Sequence, residues 1–424
     1  MQNRKQAPPI VPIQDVPMPS YATSKLANGV TIYDIRSGSQ EILRLELVFP
    51  GGRWKERKPL VSKAAAALWK DGTTLHTSAE LAQNIDYYGA SINTFSNPDF
   101  DVIVLYCLKK HYRPLLDILL EILQFPSFPD SELQTFVANN KQRLKVDLAK
   151  NDVIAFREFT EAIYGSKHPY GYNSSEEHYD ALLQQDLVDH YQRIYQPSNL
   201  KVFISGDTDD ELIGLTAQSF GSIREGNKAK GPKLNFAKPQ GNPGKIILQG
   251  MQDMQVSVAM GRRMVKRSHK DYAGLYVLNT VLGGYFSSRL MTNIREKKGY
   301  TYNIYSHLEP LLNDGYFYIS TDISKAFLKD TLHQINREIK LLQEEEIGQE
   351  EMHMLKNYLA GNFLSAIDGP MNIGELVKMI ETESLPVYYL PMIAKEVREL
   401  SSKRLMQLAK KYLDPSTFTL VIVQ

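Results

Sequence analysis

Two stretches far apart in the chain, YQRIYQPSNLKVFISGD from Tyr191 to Asp207 and AKKYLDPSTFTLVIVQ from Ala409 to Gln424, share one design. Each reads as a helix end, a Pro-Ser turn and an apolar run of strand length rich in β-formers. Such a recurrence is the mark of an internal repeat. A second pair lies upstream: DYYGASIN from Asp86 to Asn93 and EKKGYTYN from Glu296 to Asn303, with Gly89 and Gly299 at matching places. After each comes an alternating strand, DFDVIVLYCL at Asp99–Leu108 and DGYFYISTDI at Asp314–Ile323, and then an amphipathic helix, Arg113–Leu123 and Lys329–Leu342. The same elements in the same order, twice, indicate two halves of similar length, Thr23–Asp207 and Gly244–Gln424.

The division follows from the repeats. Residues 1–22 read as an extended arm, and residues 23–225 as a first domain closed by a helix over Asp209–Ser222. Residues 226–243 read as a linker and 244–424 as a second domain. The linker, GNKAKGPKLNFAKPQGNPG from Gly226 to Gly244, is Gly-, Pro- and Lys-rich and offers little to a core, so Lys228–Lys233 reads as a solvated stretch. Strands at Ile42–Phe49, Lys201–Ser205, Lys245–Leu248 and Thr417–Val423 mix with long helices without strict βαβ alternation. The fold class expected is α+β, with two homologous domains, each a mixed or antiparallel sheet packed with helices.

Bulk properties agree and exclude several classes. At 424 residues the chain exceeds the roughly 250 to 300 residues that one core sustains. With 43% hydrophobic and 23% charged residues it has the composition of a folded globular protein. Its 49 Lys plus Arg balance 48 Asp plus Glu, a net +1, so no overall field draws nucleic acid or an anionic membrane. Cys107 is the sole cysteine, which excludes an intrachain disulfide or a Cys-rich metal site and fits a reducing compartment such as the cytoplasm. The opening MQNRKQAPPIVPIQDVPMPS has no apolar h-region of a signal peptide. No stretch reaches the ~18 apolar residues of a membrane span, Leu115–Leu123 being broken by Asp117 and Glu121, so a soluble chain is expected.

Two segments carry a family resemblance. In the first half, the strand LRLELVFPGGRWKE leads to a helix over Pro59–Lys70 that ends in WKDGTT. In the second half stands LGGYFSSRLMTNIREKKGYTYNIYS, Leu282–Ser306. Over nearly the whole chain from about Thr23 this layout resembles the pitrilysin and mitochondrial-processing-peptidase family of zinc peptidases, in its bacterial two-domain form.

In that family the first helix bears H-x-x-E-H, two histidines one turn apart with a Glu to polarise the metal-bound water. Aligned on Gly72 and Thr73, those positions hold Lys63, Ala66 and Ala67. An ammonium repels a cation and alanines lack lone pairs, so no zinc is expected on this chain. None of the nine histidines forms H-x-x-E-H or H-E-x-x-H; His76 and Glu80 sit in a string of the wrong spacing that begins a new helix. The third family ligand is a Glu on a later helix, here QTFVANNKQRLKVDLAKND, where Arg143, Leu144 and Lys145 offer no carboxylate.

The resemblance gives the second segment another role: its Arg and Tyr, here Arg295 and Tyr302, reach the metal site of the assembled enzyme and hold the peptide near its scissile bond. An Arg fork and a phenol suit a peptide carbonyl or its developing charge. The alternative is a surface ion pair for Arg295 and a half-buried strand position for Tyr302. Gly283 and Gly284 match a substrate-guiding Gly-rich loop of the family's non-catalytic subunit, or a helix C-cap. His168, in the turn HPYG, reads as structural.

The resemblance thus implies a non-catalytic, substrate-binding subunit of a heterodimeric zinc endopeptidase, whose partner is a homologous chain carrying H-x-x-E-H and the zinc, and whose substrate is an extended peptide. The alternatives are a structural subunit like the family's core subunits in respiratory complexes, a peptide-binding homodimer without proteolysis, and an active peptidase with unusual metal ligation.

Overall fold

Strict alternation along Ile42–Pro50 explains the first sheet: Leu43, Leu45, Leu47 and Phe49 face one way, Arg44, Glu46 and Val48 the other, and all seven are buried. A strand buried on both faces needs cover on both, and the fold supplies it. The computed structural model describes residues 15–224, 239, 241, 243–251 and 255–424, so most of the expected linker lies outside the described residues.

One sheet comprises β1 (Ala22–Lys25), β2 (Thr31–Arg36), β3 (Ile42–Pro50), β4 (Ser91–Ser96), β5 (Phe100–Leu108) and β6 (Lys201–Gly206). The other comprises β7 (Gly244–Leu248), β8 (Val256–Arg263), β9 (Ile304–Pro310), β10 (Gly315–Ile323) and β11 (Thr419–Val423). Their orders are β1-β2-β6-β3-β5-β4 and β7-β11-β8-β10-β9. Apart from the extra edge strand β1 these are the same order, and in each sheet only one pair is parallel, β2 with β6 and β7 with β11. Gly89 and Gly299, matched in the sequence, take the same left-handed backbone, φ 61° and 66°. A side chain there would be strained, so glycine recurs where the repeat needs that turn.

Helices follow the repeat. The first half carries α1 (Val61–Leu68), α2 (Ser78–Tyr87), α3 (Tyr112–Gln124), α4 (Asp130–Asp147), α5 (Asn151–Tyr164), α6 (Glu176–Asp180), α7 (Gln184–Ile194) and α8 (Asp210–Gly221). The second carries α9 (Tyr272–Asn279), α10 (Leu328–Glu344), α11 (Gln349–Ser365), α12 (Pro370–Thr382), α13 (Tyr389–Glu399) and α14 (Ser402–Tyr412). Leu115, Leu116, Leu119 and Ile122 of α3, spaced along one helical stripe, pack on Leu43, Leu45 and Leu47. Ile335, Ile339 and Leu342 of α10 meet Phe317 and Ile319 in the same manner. Each such side chain, fully buried, contributes ~1.5 to 3 kcal/mol relative to exposure.

The remaining faces are covered by exchange. Ile373 and Val377 of α12, in the second half, pack on Tyr33, Ile35, Val48, Val102, Val104 and Phe203 of the first sheet. Ala155, Phe159 and Ile163 of α5, in the first half, pack with Ala259, Val421 and Val423 of the second. The arm joins this arrangement: Val16 is buried with the second half's core, and the Tyr21 hydroxyl donates to Glu381 at 2.5 Å.

Candidate functional site

Helix α1, VSKAAAAL, is a little over two turns rich in alanine, the strongest helix former, and its start is pinned by buried polar groups. Ser62 Oγ donates to Asp101 Oδ1 at 2.5 Å, and Ser62 N donates to Glu56 Oε1 at 3.1 Å. Asp101 also accepts from Tyr195 OH at 3.0 Å and lies 3.3 Å from His190 Nε2. This network anchors the helix from beneath, fully out of solvent.

On that helix Ala66 is buried and Ala67 half-buried, while Lys63 points outward. The Lys63 ammonium donates to Asn140 Oδ1 of α4 and to Tyr179 OH of α6, each at 2.9 Å. The residue that α4 presents to Lys63 is therefore Asn140, one turn before the expected Arg143, Leu144 and Lys145. Leu144 is buried, Arg143 faces Asp147 at 3.9 Å and Lys145 faces Glu176 at 3.8 Å. A cationic amine bridging two neutral oxygens, beside two methyl groups, does not fit a zinc ion, which requires ionised or lone-pair donors. Among the described residues no group of three or more His, Cys, Asp or Glu side chains is placed to hold a metal. His168 is buried in its turn, its Nδ1 accepting from Tyr170 N at 3.1 Å and its ring stacked on Tyr164; burial lowers its pKa.

The second-half segment is held down residue by residue. Arg289 makes a two-pronged bond to Glu351 at 2.9 and 2.8 Å, Asn293 donates to Glu338 at 2.7 Å, and Lys298 and the Tyr300 hydroxyl meet Asp330 at 2.8 and 2.9 Å. Leu290, Met291 and Ile294 bury the apolar stripe of a π-helical turn over Met291–Lys297. Against that background Arg295 and Tyr302 differ. Among the described residues neither side chain makes a hydrogen bond or ion pair. Arg295 lies 4.9 Å over the ring of the exposed Phe286, and Tyr302 is 93% exposed just before β9. Phe286 went unnoticed in the sequence because nothing in its spacing marks a cation–π partner. Neither the surface ion pair nor the half-buried strand position describes these two residues.

The glycines divide. Gly283 is buried, and a Cβ there would stand 2.4 Å from Ser306 N on β9, so packing of the turn against the strand accounts for it. Gly284 is exposed at the end of the π-helical turn Thr280–Gly284. No hydrogen bond, ion pair or ring contact among the described residues joins Lys63, Ala66 or Ala67 to Arg295 or Tyr302.

Comparison with known proteins places this geometry. A protein of Bacillus subtilis described as an uncharacterized zinc protease is 24% identical over 299 residues, 70% of this chain and 72% of its own length. The solved structure of a peptidase M16 inactive domain from Pseudomonas fluorescens superposes with a TM-score of 0.85 at 22% identity, covering 95% of this chain and 98% of that one. A protease structure from Helicobacter pylori gives a TM-score of 0.85 at 16% identity, covering 96% and 100%. These superpositions show a shared fold. The family model described as peptidase M16 inactive domain matches residues 182–359, a span that includes Leu282–Ser306. Over residues 182–359 the chain thus matches the peptidase M16 inactive-domain family, and as a whole it shares the fold of the solved M16 inactive-domain structure.

Proposed function

We propose that the chain is the non-catalytic, substrate-binding subunit of a heterodimeric zinc endopeptidase, working in a reducing compartment such as the cytoplasm. The observation that carries this reading is the contrast within one segment: Arg289 and Tyr300 are committed to carboxylates, whereas Arg295 and Tyr302 have none. Groups left without a hydrogen-bond or ion-pair partner among the described residues, on a chain whose α1 offers an ammonium and two methyls in place of ligands, suit work on a peptide bound at another chain's metal. That partner is a homologous subunit bearing H-x-x-E-H; it supplies zinc and water, and this chain supplies the Arg fork and the phenol. The peptide lies extended, adding to a sheet edge such as β9, which follows Tyr302.

The test is co-expression with an H-x-x-E-H homologue. The complex is expected to cleave an unfolded peptide faster than either chain alone. Arg295→Ala and Tyr302→Phe are each expected to lower kcat/KM by ~10² to 10³ while melting temperature and complex yield stay unchanged. Full turnover in both variants would reduce the chain to a scaffold, and a partner equally active alone, with no complex on a sizing column, would remove the subunit reading.

A further inference from the structure

Arg289 and Arg295 belong to one segment and are held in opposite ways. Arg289 spends its N–H fork on Glu351, at 2.9 and 2.8 Å. Arg295 makes no hydrogen bond or ion pair among the described residues, and its guanidinium carbon lies over the Phe286 ring, 4.9 Å from the centroid. A guanidinium carries its donors in its plane and offers its face to an aromatic ring. Contact with a ring therefore holds the group while leaving the fork for another acceptor, whereas a carboxylate in the same place would consume it, as Glu351 does.

The loop that presents the ring is itself anchored. Tyr285 packs on Tyr358 of α11 with ring centroids 4.9 Å apart, and its carbonyl accepts from Ser288 N at 3.1 Å. Just upstream, Gly283 lies so close to β9 that a Cβ would stand 2.4 Å from Ser306 N. π-Helical turns flank the loop, Thr280–Gly284 before it and Met291–Lys297 after it, and Arg295 sits on the second. Such turns are rare and occur mostly at functional sites. Phe286 is 60% exposed, so the core gains little from it. A lone exposed phenylalanine needs no explanation, but one fixed beneath an arginine that has no carboxylate serves that arginine.

We propose that Phe286 is a positioning residue, whose ring restricts the Arg295 side chain and keeps its N–H donors available to a carbonyl oxygen of the bound peptide. The proposal rests on the reading of Arg295 as a peptide-binding group. An unrestrained arginine loses rotamer freedom when it binds. The ring imposes that loss before the peptide arrives, and the contact strengthens as the peptide excludes water.

A double-mutant cycle on the complex with the H-x-x-E-H homologue tests it, with fluorescein-labelled casein as the unfolded substrate. For each variant kcat/KM, complex yield and melting temperature are measured. Phe286→Leu keeps apolar bulk but removes the π face, and is expected to lower kcat/KM by about three- to thirtyfold, the span of a cation–π contact from exposed to desolvated, with yield and melting temperature unchanged. Phe286→Tyr keeps the ring and is expected to keep the turnover. In an Arg295→Ala background Phe286→Leu is expected to have no further effect. Full turnover in Phe286→Leu, beside a loss in Arg295→Ala, would overturn the positioning role alone; full turnover in Arg295→Ala would overturn it together with the peptide-binding reading. Equal losses in the Leu and Tyr variants, an equal loss with and without Arg295, or a fall in complex yield would give Phe286 a contact of its own and overturn the proposal.

Discussion

That Lys63, Ala66 and Ala67 bring no metal donors is residue chemistry and needs no structure: ammonium and methyl groups are poor metal donors wherever they are placed. What occupies Lys63 was not legible, since Asn140 and Tyr179 lie 77 and 116 residues away and come to it only through the packing of α4 and α6 on α1. Asp271 shows the same limit. In sequence it is an ordinary acid; in the fold its side chain is 2% exposed and accepts from Arg404 at 2.7 Å, Lys411 at 2.9 Å and Tyr412 OH at 2.7 Å. Burial alone would raise its pKa, but the donors from Lys411 and Tyr412 and the Arg404 charge outweigh it and hold the carboxyl at about 2, below its usual 3.8. A depressed carboxyl contributes stability that is present above about pH 4 and is lost as pH falls toward 2. Asp271→Asn is therefore expected to cost ~1 to 3 kcal/mol in urea unfolding at neutral pH and nearly nothing at the acid end. A gap of equal size across that range would assign the effect to packing.

Elements were legible where a period was strict. Gly315–Ile323 and Phe100–Leu108 alternate, Tyr112–Gln124 and Leu328–Glu344 repeat at helical spacing, and each was recognised to within a residue or two. The ends moved where turns intervene: the run expected from Thr417 begins pairing at Thr419, after a single 3-10 turn at Pro415–Thr417. Helices α5 and α12 each bury an apolar stripe, but such a stripe does not say which sheet it covers. The fit of α12 depends on Gly374, where a Cβ would stand 2.2 Å from Ser205 Oγ on β6. Glycine to alanine inside a helix gains up to ~1 kcal/mol in propensity, while overpacking costs ~1 to 3 kcal/mol. Gly374→Ala alone is thus expected to destabilise. In a Ser205→Ala background, with the hydroxyl gone, the same change is expected to be neutral or stabilising. Denaturation midpoints of the four chains decide it; additive effects would show that the two residues do not meet.

At the scale of the molecule, the repeats suggested two halves joined by a linker, each with its own core, and the two like-ordered sheets agree with the duplication. Repeats carry no information on exchange, however, and here each half's sheet takes a helix from the other. Polar groups cross as well: Lys378 of α12 reaches the buried Glu46 of β3 at 2.7 Å, and the amides of Leu312 and Asn313 reach Asp99 and the Tyr170 hydroxyl at 3.3 and 3.2 Å. Separating the halves would expose one apolar face on each sheet and leave Arg44 and Glu46 without Glu375 and Lys378, a loss comparable with the whole stability of a domain, ~5 to 15 kcal/mol. Neither half should therefore unfold while the other stays native. The chain allows a direct test, because both tryptophans, Trp54 and Trp69, lie in the first half, whereas far-ultraviolet circular dichroism reports both. The two signals are expected to change at one denaturant concentration. Val377→Ala, a change in the second half that thins the cover of the first sheet, should remove about 2 kcal/mol and move both signals to a lower midpoint together. If fluorescence shifted while the dichroism split into two steps, the halves would be independent folding units and the exchanged helices only a docking contact.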